Sequence, residues 1–239
     1  MNLEKSKYLI LSILGFLFIF LLIVTILYYT QPRLVPGEPL TCKTIIQNGE
    51  PSKKIDIVFF FDNINEEIAQ EYINYLLDIV PFKDNKGKFN FYSVNAAPDC
   101  SIQSGILVCY SRSLVQAAAL CPDDYIVVLS KQTSSIRSSA YINLISVNTE
   151  NPKSVVIHEF AHIFANLADE YIPSVIPRGS KNCVSSCDKF KSETDGCYQG
   201  CSQDSYLRSV DSGVMRTLRT NNYGKFDTEI LNENLDKYE

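Results

Sequence analysis

Only two histidines occur in the chain, and both fall in one five-residue stretch, His158-Glu159-Phe160-Ala161-His162, inside an apolar run. That run reads as a helix. Residues four apart on a helix share a face, so both imidazoles reach one metal ion while Glu159 stands within reach of a water on that ion. The constraint extends to the rest of the fold. A catalytic zinc takes three protein ligands and keeps a fourth position for water, and with no histidine left the third ligand must be a carboxylate or a thiolate. A chance match on an ordinary buried helix is the competing reading, because the motif is short.

Residues 8–29 form an unbroken apolar segment, long enough at ~1.5 Å per residue to cross a hydrocarbon core of about 30 Å. It is longer than the ~7–15-residue apolar region of a cleaved signal peptide and ends in Tyr28, Tyr29, Thr30, Gln31 and Pro32 rather than at a small-residue site. The expectation is an uncleaved signal anchor at 8–30 after a cytoplasmic tail, 1–7. Lys5 and Lys7 before the segment, with only Arg33 close behind it, place the remainder outside the cell. Residues 31–54, with Pro32, Pro36, Gly37 and Pro39, read as a stalk and lead-in, and 55–239 as a single domain. All eight cysteines lie beyond the anchor, an even count that favours disulfides over a second, structural zinc site at Cys183, Cys187, Cys197 and Cys201. Without Glu4, Lys5 and Lys7 the chain holds 20 basic and 26 acidic residues, net −6, and no basic cluster to gather phosphates. Nucleic acid is therefore excluded as a partner.

Within the domain, 55–61 is a β-branched and aromatic run that reads as a buried strand, and 66–80 carries apolar residues at helical spacing up to Pro81. Further strands are expected at 89–94, 125–129 and 141–147, a helix at 113–120, and the motif helix at 152–167, capped by Asn151 before Pro152. Alternating strands and helices indicate an α/β layer. After Tyr171 cysteine, glycine and polar residues dominate, and an irregular C-terminal half held by covalent links is expected.

Asp169 and Glu170 are the nearest carboxylates past the motif, and Asn166 is of a type that tolerates the left-handed conformation used at helix ends. The stretch 158–171, HEFAH followed by Leu167-Ala168-Asp169-Glu170-Tyr171, resembles the IgA-peptidase family of zinc metallopeptidases, whose signature is HEFGH and then LADEY. Ser212-Gly213-Val214-Met215-Arg216 resembles the methionine turn of metzincins, and the likeness spans roughly residues 55–220. The chain departs from the family at Asn166, where glycine is usual, and at Lys131-Gln132-Thr133-Ser134-Ser135, where a glycine-rich loop is often found. In metzincins the third ligand follows the helix-ending glycine by three residues. The same count from Asn166 gives Asp169, with Glu170, one residue on and longer in reach, as the alternative.

Taken with the residues, the resemblance implies a metzincin-like zincin domain: α/β, with a mixed sheet, an active-site helix and a cysteine-rich irregular C-terminal half, preceded by the one transmembrane helix that the apolar run predicts. The motif gives one catalytic zinc on His158 and His162 with Glu159 as general base, the resemblance adds Asp169 as third ligand and peptide hydrolysis as the reaction, and the apolar run places protein or peptide substrates at the cell membrane. Tyr171, Tyr206, Arg216 and Tyr223 are possible oxyanion donors among which the sequence does not choose. A non-catalytic surface binding module on the same fold, or a hydrolase of a non-peptide amide, are the alternative functions. The intact Glu159 speaks for an enzyme, since a binding module needs no base beside the two histidines.

Overall fold

The computed structural model describes residues 13–23, 25, 39–62, 64–190 and 194–239. Along the chain run β1 (Cys42–Ile46), β2 (Ile55–Asp62), α1 (Glu67–Leu76), β3 (Phe89–Val94), the short β4 (Ser101–Gln103) and β5 (Ile106–Val108), and α2 (Arg112–Ala118). They are followed by β6 (Tyr125–Ser130), β7 (Ser139–Tyr141), β8 (Leu144–Asn148), α3 (Ser154–Ala165), β9 (Tyr198–Cys201), β10 (Gln203–Arg208) and α4 (Lys225–Leu235).

Six strands form one mixed sheet in the order β1-β3-β2-β6-β8-β7. Its centre is parallel, β3 to β2 to β6 to β8, and both edges, β1 and β7, pair antiparallel. Parallel strands are covered on both faces, which is why β2, Ile-Asp-Ile-Val-Phe-Phe-Phe-Asp, and β6, Tyr-Ile-Val-Val-Leu-Ser, show no regular polar alternation. Ile55, Ile57 and Phe59 of β2 pack with Tyr72, Ile73 and Leu76 of α1 and with α3, whereas Val58 and Phe60 pack with Leu114, Ala117 and Ala118 of α2. The sheet thus lies between α1 and α3 on one face and α2 on the other. Phe82 anchors the first layer, its ring edge-on to Phe160 at 5.5 Å and to Phe164 at 6.1 Å.

Several expectations need correction. The segment 141–147 is not one strand. Ile142 takes a left-handed φ of 56°, so the chain turns back and the apolar run divides into the hairpin β7–β8. Asn151 does not cap α3; its side chain accepts a hydrogen bond from Ser138 instead. Residues 171–239 are less irregular than their composition suggests: β9 and β10 pair, and α4 buries Phe226, Ile230, Leu231 and Leu235 in the main core. The eight cysteines form four disulfides, Cys42–Cys121, Cys100–Cys109, Cys183–Cys201 and Cys187–Cys197. These pairings use the four C-terminal cysteines and leave no second zinc site there.

The fold is therefore a disulfide-linked mixed α/β domain, and the transmembrane helix expected before it is not found among the described residues. Among the described residues no helix is long and apolar enough to cross a membrane. Within the expected span the described residues 13–23 are helical. The rest of 8–30, apart from residue 25, and the tail 1–7 lie outside the described residues. The single-pass membrane localisation and the membrane contact at 8–30 lose their support with the span. The chain divides into two compact units, Met1–Pro39 and Leu40–Glu239, so the unit that holds the sheet begins at Leu40.

Candidate metal centre

The site is built on α3. Its sequence, Ser-Val-Val-Ile-His-Glu-Phe-Ala-His-Ile-Phe-Ala, is apolar nearly all round, and residues 154–161 are all buried. Phe160 and Phe164, four apart, stack at 5.1 Å and pack edge-on against Tyr125 of the sheet, which fixes the helix's rotation and turns the His158–His162 face towards the cleft. The helix ends at Asn166, whose φ of 52° and ψ of 36° are left-handed. The amide of Leu167 closes back on Ala161 O at 3.3 Å, and Asn166 Nδ2 donates to Arg178 O at 3.1 Å.

The reversal sends the chain back across the histidines. Asn182 clamps it there: Ala168 N–H donates to Asn182 Oδ1 at 2.8 Å, and Asn182 Nδ2 donates to Ala168 O at 3.0 Å. Asp169 Oδ1 then lies 3.0 Å from His158 Nε2 and 3.2 Å from His162 Nε2, and the two Nε2 atoms are 3.2 Å apart. Ser174 Oγ donates to the other oxygen, Oδ2, at 2.8 Å. Glu170 turns away from the cleft: its amide donates to Met215 O at 2.8 Å and its side chain is fully buried.

The far sides of the rings decide what faces inward. His158 Nδ1 is 2.9 Å from Val214 O and His162 Nδ1 is 2.6 Å from Leu167 O. A carbonyl only accepts, so both Nδ1 atoms carry the proton and donate, and in the neutral rings both Nε2 lone pairs point into the site. Two nitrogen lone pairs and a buried carboxylate oxygen that lacks any hydrogen-bond donor converge on one point. Tetrahedral zinc with ligand bonds of ~2.0–2.2 Å places its ligand atoms ~3.3–3.5 Å apart, close to the three separations found. The donor set fits zinc. Among the described residues it is also the one cluster of His, Cys, Asp and Glu with this convergence.

Electrostatics agree with a cation-seeking site. Burial raises the Asp169 carboxyl, but its contacts with His158 and His162 outweigh this and hold it well below the usual carboxylate range. Burial draws the His162 ring down, the Asp169 carboxylate outweighs it, and the ring is pushed up to about 9. A metal ion bound at this position would compete with that proton. Glu159 is raised by burial against the lowering pull of the two imidazoles.

The histidines, Glu159 and Asp169 line a cleft of about 380 Å³ whose rim includes Arg137, Ala140 of β7 and Tyr171. Of the four possible oxyanion donors, only Tyr171 borders it. Burial and the neighbouring Asp169 push its phenol up to about 12, so it keeps the proton a donor needs. Tyr223 is spent in the core, donating to Ile157 O at 2.7 Å; Tyr206 lines a separate cavity; Arg216 faces Glu170. Sequence reasoning missed Asn182 and Arg137. Neither carries a signal of its own, one being a short polar residue in a cysteine-rich stretch and the other a basic residue in a polar loop. No protein-family model and no curated protein matches the chain.

Proposed function

We propose that the chain is a zinc-dependent metallopeptidase that hydrolyses peptide bonds of protein or peptide substrates. The observation that carries this reading is the convergence of His158 Nε2, His162 Nε2 and Asp169 Oδ1 within 3.0–3.2 Å of one another, with Glu159 on the same helix. These three atoms would hold the ion, and zinc bound there supplies a water of lowered pKa and polarises the scissile carbonyl. Glu159 accepts the proton of the attacking water and returns it to the leaving amine. Tyr171 donates to the developing oxyanion from the rim. Val214 O and Leu167 O hold both rings in the tautomer that presents Nε2. The resemblance of 158–171 to the IgA-peptidase signature supports the same reading. Four disulfides with no free cysteine fit maturation in an oxidising compartment.

Glu159→Gln tests the reading, since an amide keeps the size but cannot take up the proton. Full-length Glu159→Gln should retain zinc and lose turnover by ~10²–10⁴-fold on an unfolded protein substrate. Turnover within a few-fold of the parent removes Glu159 from the mechanism.

A further inference from the structure

Arg137 sits at the rim of the metal cleft on backbone that is fixed from both sides. Its N–H donates to Gly105 O at 3.0 Å and its carbonyl accepts from Leu107 N at 2.9 Å, so it is bridged to the β4–β5 hairpin, whose base is closed by Cys100–Cys109. The loop before it is pinned as well: Asn148 Nδ2 donates to Thr133 O at 2.9 Å and to Ile136 O at 2.8 Å. On this rigid mount the Arg137 side chain is exposed, and no carboxylate among the described residues forms an ion pair with it.

Charge bookkeeping in the cleft gives the arginine its meaning. Its lining carries two carboxylates, Glu159 and Asp169, and one permanently cationic side chain, Arg137. A divalent cation on His158, His162 and Asp169 is balanced by those carboxylates, which leaves the guanidinium as the uncompensated charge. A planar guanidinium with free N–H groups is matched to a carboxylate, which it can grip with two parallel hydrogen bonds. We propose that Arg137 is a specificity residue that recognises a substrate carboxylate close to the bond to be cleaved, supplied by an acidic side chain or by a free chain terminus. This rests on the peptidase reading for its substrate class, but its binding step is measurable without turnover.

The test uses full-length Glu159→Gln loaded with zinc, so that peptides bind without being consumed. Neutral peptides of one length, labelled with an uncharged dye, carry Glu or Gln at each position in turn, with free or amidated C-termini, and affinity is read by fluorescence anisotropy. The carboxylate peptide should bind roughly tenfold tighter than its neutral twin, less so as salt is raised, and Arg137→Gln in the same background should bring the ratio within about twofold. Arg137→Lys should keep part of it. A gain from internal Glu names a side chain as the source, and a gain confined to free termini names the chain end. Equal binding of charged and neutral peptides, including no binding of either, or a preference that survives Arg137→Gln, overturns the proposal. Hydrolysis by the parent chain separates the two readings. Acid-selective binding without hydrolysis removes the peptidase and leaves the carboxylate site, whereas hydrolysis without acid preference leaves the peptidase and removes the role of Arg137.

Discussion

Asp169 and Glu170 are neighbours in sequence, yet they stand in opposite regions of the molecule. The Asp169 side chain is 17% exposed at the cleft, its Oδ1 facing two imidazoles. Glu170 is fully buried beside Asp227, also fully buried, where the charges of Arg208 and Arg216 reach it. The first carboxylate faces the two imidazoles at the cleft, and the second lies buried with Asp227 of α4. One residue of register separates the two roles, and backbone conformation makes the assignment: the left-handed Asn166 and the Asn182 clamp rotate Asp169 inward and so send Glu170 outward.

The largest effect should come from exchanging these two residues for alanine. Asp169→Ala should lower zinc affinity by orders of magnitude, because two histidines and water remain. Glu170→Ala should cost ~10–100-fold, the scale of a group acting through its neighbours. Competition with a chromophoric chelator, with circular dichroism to check folding, decides between them. A larger loss for Glu170→Ala would give that residue the ligand role.

A second contrast lies between the sheet layer, held by apolar packing, and residues 171–212, tied by Cys183–Cys201 and Cys187–Cys197. Phe82→Ala should destabilise the whole unit by ~3–5 kcal/mol, read from chemical denaturation. The paired change Cys187→Ser and Cys197→Ser should cost ~2–4 kcal/mol, with faster amide exchange confined to about 180–210. Exchange that spreads equally into β2 and β6 would show that the two regions are not separately held.

The buried carboxyl pair makes a smaller, pH-dependent effect. Burial raises Asp227 well above the usual carboxylate range, and it pushes Glu170 up to about 8. A carboxyl whose folded pKa is raised contributes stability at low pH that is lost as pH rises through the folded value. Thermal midpoints should therefore fall as pH rises from about 4.5, the ordinary carboxyl value, through about 8, and Asp227→Asn, which cannot ionise, should flatten that slope. An unchanged slope would take the pair out of the pH response.

The smallest change is at Asn166. Glycine there needs no strain at φ 52° but gives up the bond to Arg178 O, so Asn166→Gly should stay within ~1 kcal/mol of the parent. Asn166→Ala should be destabilised by ~1–2 kcal/mol. Chemical denaturation ranks the two, and alanine at or above glycine would contradict the left-handed assignment.

These contrasts also mark what was legible in the sequence. The buried strands at 55–61, 89–94 and 125–129 and the motif helix were readable because continuous apolar runs and helical spacing are local signals. The β7–β8 hairpin was hidden because Ile142, in a left-handed turn, is chemically a strand residue. β1 was hidden in what read as a lead-in, and α4 because only Phe226, Ile230, Leu231 and Leu235 mark its buried face among polar neighbours. At the site, His158, Glu159 and His162 follow from one helix. The orientation of Asp169 depends on Asn182 and Ser174, and the rim position of Arg137 on the hairpin at 101–108, contacts that no local pattern announces.

Zinc stoichiometry tests the central claim most directly. Full-length protein, dialysed against trace zinc and analysed by plasma mass spectrometry, should hold one zinc per chain, and the folded His158→Ala, His162→Ala double variant should hold none. One zinc per chain retained by the folded double variant at the parent's affinity would contradict the site.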